Sequence, residues 1–272
     1  MIFFEYALIF CFGACIGSFL NVCIYRPAVG KSIIKPGSHC FKCEHPLAWY
    51  DNVPIFSYLI LKGHCRYCNA KFSPRYAVVE ALTGILFCLL FSKFLWSWEL
   101  LIFMIVTSGL IISTFVDFDH FIIPNFITFP GMIMGFLWSF VVWFGFKESA
   151  FPVKNPLESL IGFLVGAGFL FIIGEIFTKI LKKEAMGFGD VKLLGMLGTF
   201  MGWKLILLTV IISSFAGSVV GVLMISMKKQ DRWGHIPYGP YLALAAFIAI
   251  MWGNQMIDWY WNFMIPPNAV GY

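Results

Sequence analysis

Runs of about twenty apolar residues recur along the whole chain, and only the stretch 26–75 interrupts the series. At 1.5 Å rise per residue, such a run as a helix matches the roughly 30 Å hydrocarbon layer of a bilayer. In that layer the backbone groups must be satisfied within each segment, so each run is expected to be helical. Composition agrees: 60% of the 272 residues are hydrophobic, 12% are charged and mean hydropathy is +0.84. No water-soluble domain of this length needs so much apolar surface. The expected fold is an all-α polytopic membrane protein of about eight transmembrane helices, near 3–25, 77–96, 100–117, 124–145, 158–180, 190–203, 204–226 and 239–260. The segment 190–203 is short for a full crossing and would have to tilt, kink or thin the bilayer. The first segment has no basic leader region and is followed by positive charge, so it is expected to remain as a span rather than be removed. No internal repeat is expected.

The interruption at 26–75 is polar, basic and rich in Gly, Pro, Cys and His. It divides the chain into a first helix (1–25), a small domain (26–75) and a seven-helix membrane domain (76–272). With the N-terminus outside and the spans alternating, only Lys93, Lys147, Lys154 and Lys204 of the 19 basic residues fall outside. The excess of positive charge belongs on the cytoplasmic side, so both termini are expected outside and the small domain in the cytoplasm. The same alternation, made without reference to acids, places Asp117 at the inner end of the third span and Asp190 at the inner start of the sixth.

Within the small domain, Cys40-Phe41-Lys42-Cys43 and Cys65-Arg66-Tyr67-Cys68 form two CxxC pairs. Four thiolates so spaced can close a tetrahedron around Zn²⁺, and four protein ligands imply a structural rather than a catalytic metal. A reducing compartment argues against disulfides. His39, His45 and His64 beside the pairs are read as solvated or supporting groups. About fifty residues cannot build a large core, so metal would hold this domain together. Its basic face is expected to meet anionic lipid rather than nucleic acid, because there is no array of fingers and membrane tethers it on both sides. Cys11, Cys15, Cys23 and Cys88 lie in apolar helices and read as packing residues.

Acids in such a chain are costly and usually functional. Asp190 stands in Gly187-Phe188-Gly189-Asp190-Val191-Lys192, where the two glycines leave room for another backbone to come close. Asp117 stands in Asp117-Phe118-Asp119-His120. Two carboxyls at one level suit the aspartic-protease pair, in which one proton is shared, one acid activates water and the other donates to the scissile carbonyl. Asp119 is two residues on, about 200° around a helix, and so points away from Asp117; it reads either as a supporting group that orients substrate or bonds the next helix start, or as an interfacial cap before Pro124. Glu80, one turn inside the second span, and Lys192 are candidate supporting groups. Lys192 also reads as a side chain reaching for the interface.

Taken in order, these motifs resemble those of the prepilin peptidases, or type 4 leader peptidases, of type IV pili and type II secretion systems. The match runs through Gly17-Ser18-Phe19-Leu20-Asn21-Val22, the two CxxC pairs with Asp51-Asn52-Val53-Pro54 between them, and Ser73-Pro74-Arg75-Tyr76 with Glu80. It continues through both acid motifs, Ile123-Pro124-Asn125, and Ile236-Pro237-Tyr238-Gly239-Pro240-Tyr241. Ala77 stands where the family often has proline, and Asn125 where it often has aspartate. The resemblance implies an intramembrane aspartic endopeptidase of the bacterial inner membrane, with Asp117 and Asp190 as its pair. It implies prepilin or pseudopilin substrates, cut after glycine at the cytoplasmic face. It also implies N-methylation of the new terminus with S-adenosylmethionine, which nothing in the residues themselves reveals. Two other readings compete: a proton-coupled transporter using Asp117 and Asp190 as a relay, and a zinc-anchored assembly factor without catalysis. A relay leaves the glycines, the common level of the acids and the cysteine domain unexplained.

Overall fold

A computed structural model describes residues 2–28, 30, 32–35, 37–145, 150–181, 187–227 and 237–264. Among them lie eight α-helices: α1 (Ile2–Ala28), α2 (Phe56–Ile60), α3 (Arg75–Phe94), α4 (Trp98–His120), α5 (Asn125–Gly145), α6 (Pro156–Leu181), α7 (Phe188–Ser226) and α8 (Gly239–Met264). All but α2 are long and apolar enough to cross a membrane. The described chain has no strand, only two isolated bridges in the cysteine region. The all-α membrane fold expected from the sequence is therefore the one observed.

Seven long helices accommodate eight expected segments because α7 contains two of them. Its 39 residues would run about 58 Å as one straight rod, nearly twice the hydrocarbon thickness. Gly202 breaks it, with φ 71° and ψ 173°, a conformation open to glycine and costly for residues with a Cβ. The two halves differ in surroundings. In the first, Leu193, Leu194, Leu197 and Phe200 have no exposed surface at all, whereas Ile211, Phe215 and Val222 of the second are largely exposed. A segment too short to span on its own is thus an inner helix, packed by α5 at Met196 and Thr199 and by α6 at Leu194 and Gly198. The closest approach is at Gly162 of α6 and Gly198 of α7, where a Cβ on either would meet the other's carbonyl oxygen.

The chain forms two compact units, Met1–Val116 and Asp117–Tyr272. In the first, α1 packs along α3 through Gly13 and Gly17. A Cβ there would come 2.8 Å from the Gly84 Cα and 2.7 Å from the Glu80 Cα. Small residues four apart let helix backbones meet where lipid supplies no hydrophobic drive between them. Polar bonds finish the contact: Asn21 Nδ2 donates to the Tyr76 carbonyl at 3.1 Å. In the second unit α7 is central. The Glu175–Lys179 pair on α6 is an exposed i,i+4 contact at 4.0 Å.

Candidate active site and metal centre

The cysteine region is built from two copies of one small turn. In each, the first cysteine's N–H donates to the carbonyl five residues on: Cys40 to His45 at 3.0 Å, and Cys65 to Ala70 at 2.8 Å. Its carbonyl in turn accepts from the fourth following residue, Glu44 and Asn69, each at 3.0 Å. Both of those residues take positive φ, 57° and 56°. The same bridge recurs, His39 with Pro46 and His64 with Lys71. No internal repeat was expected from the sequence, yet His-Cys-x-x-Cys stands at 39–43 and again at 64–68. The unit is too short to register as a periodic pattern.

The turns face each other and bring the four Sγ atoms within 4.8 Å of one another. Cys40 and Cys68 Sγ are 3.7 Å apart. A tetrahedron with Zn–S of about 2.3 Å has edges of about 3.8 Å, so the donor set suits zinc in both element and size. The Cys43 amide, directed at the Cys40 sulfur, holds that thiol down at about 6 against burial. Cys68 goes the other way, to about 11: the Ala70 amide favours its thiolate, but burial and the neighbouring thiols oppose it more strongly. Crowded thiolates repel, and a dication relieves that repulsion. No histidine joins the cluster among the described residues. Instead His45 packs on Tyr67 and Phe41 on Phe72, tying the two turns together with rings.

Arg66, inside the second turn, grips Asp51 with two nitrogens, Nε at 3.0 Å and Nη2 at 2.6 Å from Oδ1. This pairing pushes the Arg66 guanidinium above its ordinary value. Asp51 belongs to the short 3₁₀ turn Trp49–Asn52, so the motif Asp51-Asn52-Val53-Pro54 is tied to the metal turns. At the other end of that loop, Glu80 Oε2 accepts from the Ile55 N–H at 2.7 Å. Ile55 has φ 64°, unusual for a β-branched residue, and this bond helps hold it there. The structure thus gives Glu80 a partner within the first unit.

The second unit gathers the acids. Asp117, in the last turn of α4, and Asp190, in the first turn of α7, are 6% and 8% exposed. Both line one cavity of about 290 Å³, together with Gly187, Gly189, Lys192 and the turn 121–125 that joins α4 to α5. Of the sequence-predicted site residues in this unit, only Asp119 is not among its lining residues. It is exposed beside the buried Asp117, as two residues of helical rotation require. The glycines have different uses. A Cβ on Gly189 would come 3.0 Å from Ile123 Cβ, so this glycine admits the α4–α5 turn, whereas one on Gly187 would only touch Asp190 Oδ2 at 3.4 Å. Lys192 Nζ donates to Asn125 Oδ1 at 2.8 Å and lies over the Phe188 ring at 4.9 Å. Its ammonium is therefore held at the cavity by residues of the site.

One contact was not foreseen. Asp117 Oδ2 accepts the backbone N–H of Gly239 at 2.9 Å. Gly239 opens α8, and its amide is one of the unpaired donors at a helix start. The sequence signal was present, a glycine between two prolines in 237–240, but the residues alone gave it no partner. Met186 and Ile236, which extend the two motifs, lie outside the described residues.

A cavity holding two buried carboxyls, one fixed by a backbone amide, can activate water and protonate a carbonyl oxygen. Comparison with known proteins bears on what it acts upon. Residues 11–94 match the bacterial peptidase A24 N-terminal domain, and residues 104–222 match the type IV leader peptidase family. The four cysteines fall in the first match and both acids in the second. A prepilin leader peptidase/N-methyltransferase of Stutzerimonas stutzeri is 34% identical over 92% of this chain and 92% of its own. One from Pseudomonas aeruginosa is 32% identical over 92% of this chain and 91% of its own. One from Myxococcus xanthus is 39% identical over 80% of this chain and 62% of its own. No solved structure gives a significant match.

Proposed function

The chain belongs to the type IV leader peptidase family, and on that premise we propose that Asp117 and Asp190 are the acid pair that cuts its substrate. It is an enzyme, a prepilin leader peptidase with N-methyltransferase activity, set in a multi-pass membrane fold. The observation that carries the site assignment is the shared cavity: two acids from different helices, both buried, face one space with Gly187, Gly189 and Lys192 around it. In the proposed reaction one carboxylate takes a proton from water as the water oxygen adds to the scissile carbonyl carbon. The other carboxyl gives its proton to the carbonyl oxygen. On collapse the C–N bond breaks, the leaving amine takes the first proton, and the second acid is reprotonated from the diol. No covalent intermediate arises. The pair titrates as a unit.

The finer readings follow from charge and chemistry. The substrate is a prepilin or pseudopilin, with a short basic leader in the cytoplasm followed by an apolar helix. The bond after glycine lies at the cytoplasmic membrane face, where the charge distribution puts both acids, with the termini outside. Glycine before the bond lets the substrate backbone pass close to the acids. Zn²⁺ held by Cys40, Cys43, Cys65 and Cys68 supplies structure, and S-adenosylmethionine supplies the methyl group. Anionic lipid, not nucleic acid, meets the basic face of the cysteine domain. The proton-relay reading has no support from the matches, which are to peptidases.

The test is the mass of a pilin-like substrate's N-terminus after co-expression. With the wild type it should read cleaved and methylated. With Asp117→Asn or Asp190→Asn it should keep its leader, a loss of at least about 10³-fold in cleavage, since an amide cannot exchange the proton. Normal processing by either variant would refute the assignment.

A further inference from the structure

The start of α8 is tied to α7 next to the residue that touches Asp117. Tyr238 Oη lies 2.6 Å from Ser213 Oγ, a residue with no exposed surface, and 3.5 Å from Ser214 Oγ. Its ring runs along the second half of α7, within 3.8 Å of a Cβ built on Gly217. The next residue, Gly239, donates to Asp117 Oδ2 at 2.9 Å and comes so close that a Cβ would lie 2.8 Å from that oxygen. Neither family match reaches these two residues.

A carboxylate oxygen accepts an N–H more strongly than a protonated one, so such a bond disfavours a proton on the oxygen that accepts it. Gly239 therefore holds Oδ2 of Asp117 as an acceptor, and Oδ1 lies outside that bond. The α8 start adds the positive end of a helix dipole, which favours a carboxylate there. Asp190 accepts no hydrogen bond among the described contacts, while its own N–H closes the turn on the Gly187 carbonyl at 3.1 Å. Among the described residues, the other charged groups near Asp117 are Asp190 and Lys192, which line the same cavity, Asp119 and His120 on its own helix, and Arg75 of α3, whose Nη2 donates to the Phe115 carbonyl at 2.9 Å. The described start of α8 contributes none.

Resting on the acid-pair reading above, we infer that Tyr238 is a positioning residue of this enzyme. Its hydroxyl, tied to Ser213, seats Gly239 on Asp117, making Asp117 the water-activating base and Asp190 the proton donor. The proton from water goes to Asp117 Oδ1, and the carbonyl oxygen takes the proton of Asp190. When the C–N bond breaks, the amine takes the proton from Asp117.

Tyr238→Phe keeps the ring and removes the tie. Losing one such hydrogen bond should lower kcat about 3- to 10-fold with KM within about twofold, because the effect falls on the reacting acid rather than on binding. The acid limb of the pH–rate profile, which reports ionisation of the base, should move up by about 0.5–1 pH unit while the alkaline limb stays. Ser213→Ala should act in the same direction and more weakly, since Ser214 remains within reach. The double variant should be no worse than Tyr238→Phe alone, because both remove one bond. If Tyr238→Phe folds poorly, Ser213→Ala carries the same pH measurement. Unchanged kcat and profile in both single variants would overturn the inference, as would movement of the alkaline limb instead. Either result, with Asp117→Asn inactive, leaves the acid pair standing. An active Asp117→Asn removes the pair itself.

Discussion

The metal turns and the acid cavity differ in how far apart in sequence their parts lie. All four sulfurs come from residues 40–68, and each turn closes on its own backbone before the other is needed. The acids come from the end of α4 and the start of α7, and the amide that holds one of them comes from a third helix, α8. The first is a local structure that four ligands close completely. The second is a cavity lined by an ammonium and glycines beside the acids, and exists only when the helices have packed. Four ligands filled by a metal stabilise, whereas a cavity has room for a reacting group. Damage to the cysteines should therefore appear as loss of structure, and damage to the acids as loss of chemistry in an intact fold.

The largest structural effect should follow loss of the metal. Cys40→Ser or Cys68→Ser should reduce zinc from about one ion per chain and leave 37–75 open to protease in inverted vesicles, because binding and folding of such small domains are one event. Full zinc in the quadruple cysteine variant would remove the site. An intermediate effect should follow from moving the substrate's bond. About seven leucines inserted before the substrate glycine draw the bond some 10 Å deeper, at 1.5 Å per residue, and cleavage should fall at least about tenfold. The same insertion after the glycine leaves the bond at the edge and should be tolerated. Equal processing of both constructs would contradict a pair of acids at the interface. The smallest effect belongs to Asp119→Asn. Asp119 is exposed and is not among the residues lining the cavity, so cleavage should stay within about fivefold of the wild type in a detergent assay. A loss matching that of Asp117→Asn would mean the wrong member of Asp117-Phe118-Asp119 had been assigned.

What the sequence made legible follows the same division. The CxxC spacing declares its site because all the geometry is local, and hydropathy declares the helices because length and apolar content are local too. Helical rotation alone says that Asp117 and Asp119 point apart, and the packed structure adds which of the two is buried and lines the cavity. Three features needed the packed structure. The break at Gly202 lies beside the 203/204 boundary read from the sequence, but the buried, inner character of the first half needed the structure, because an apolar run reads the same in a core or in lipid. The bond from Glu80 to Ile55 and the amide of Gly239 on Asp117 involve backbone groups, which carry no sequence signal of their own. The Lys192–Asn125 bond gives a role to a residue noted only as a departure from a family pattern.

The most direct test of the central claim is one preparation of Asp190→Asn, purified in detergent and measured for two quantities together: zinc per chain, and cleavage of a pilin-like substrate. About one zinc per chain with cleavage at least about 10³-fold below the wild type is the expected result. Cleavage near the wild-type rate would contradict the account, because the acid cavity would then not be where the peptide bond is broken.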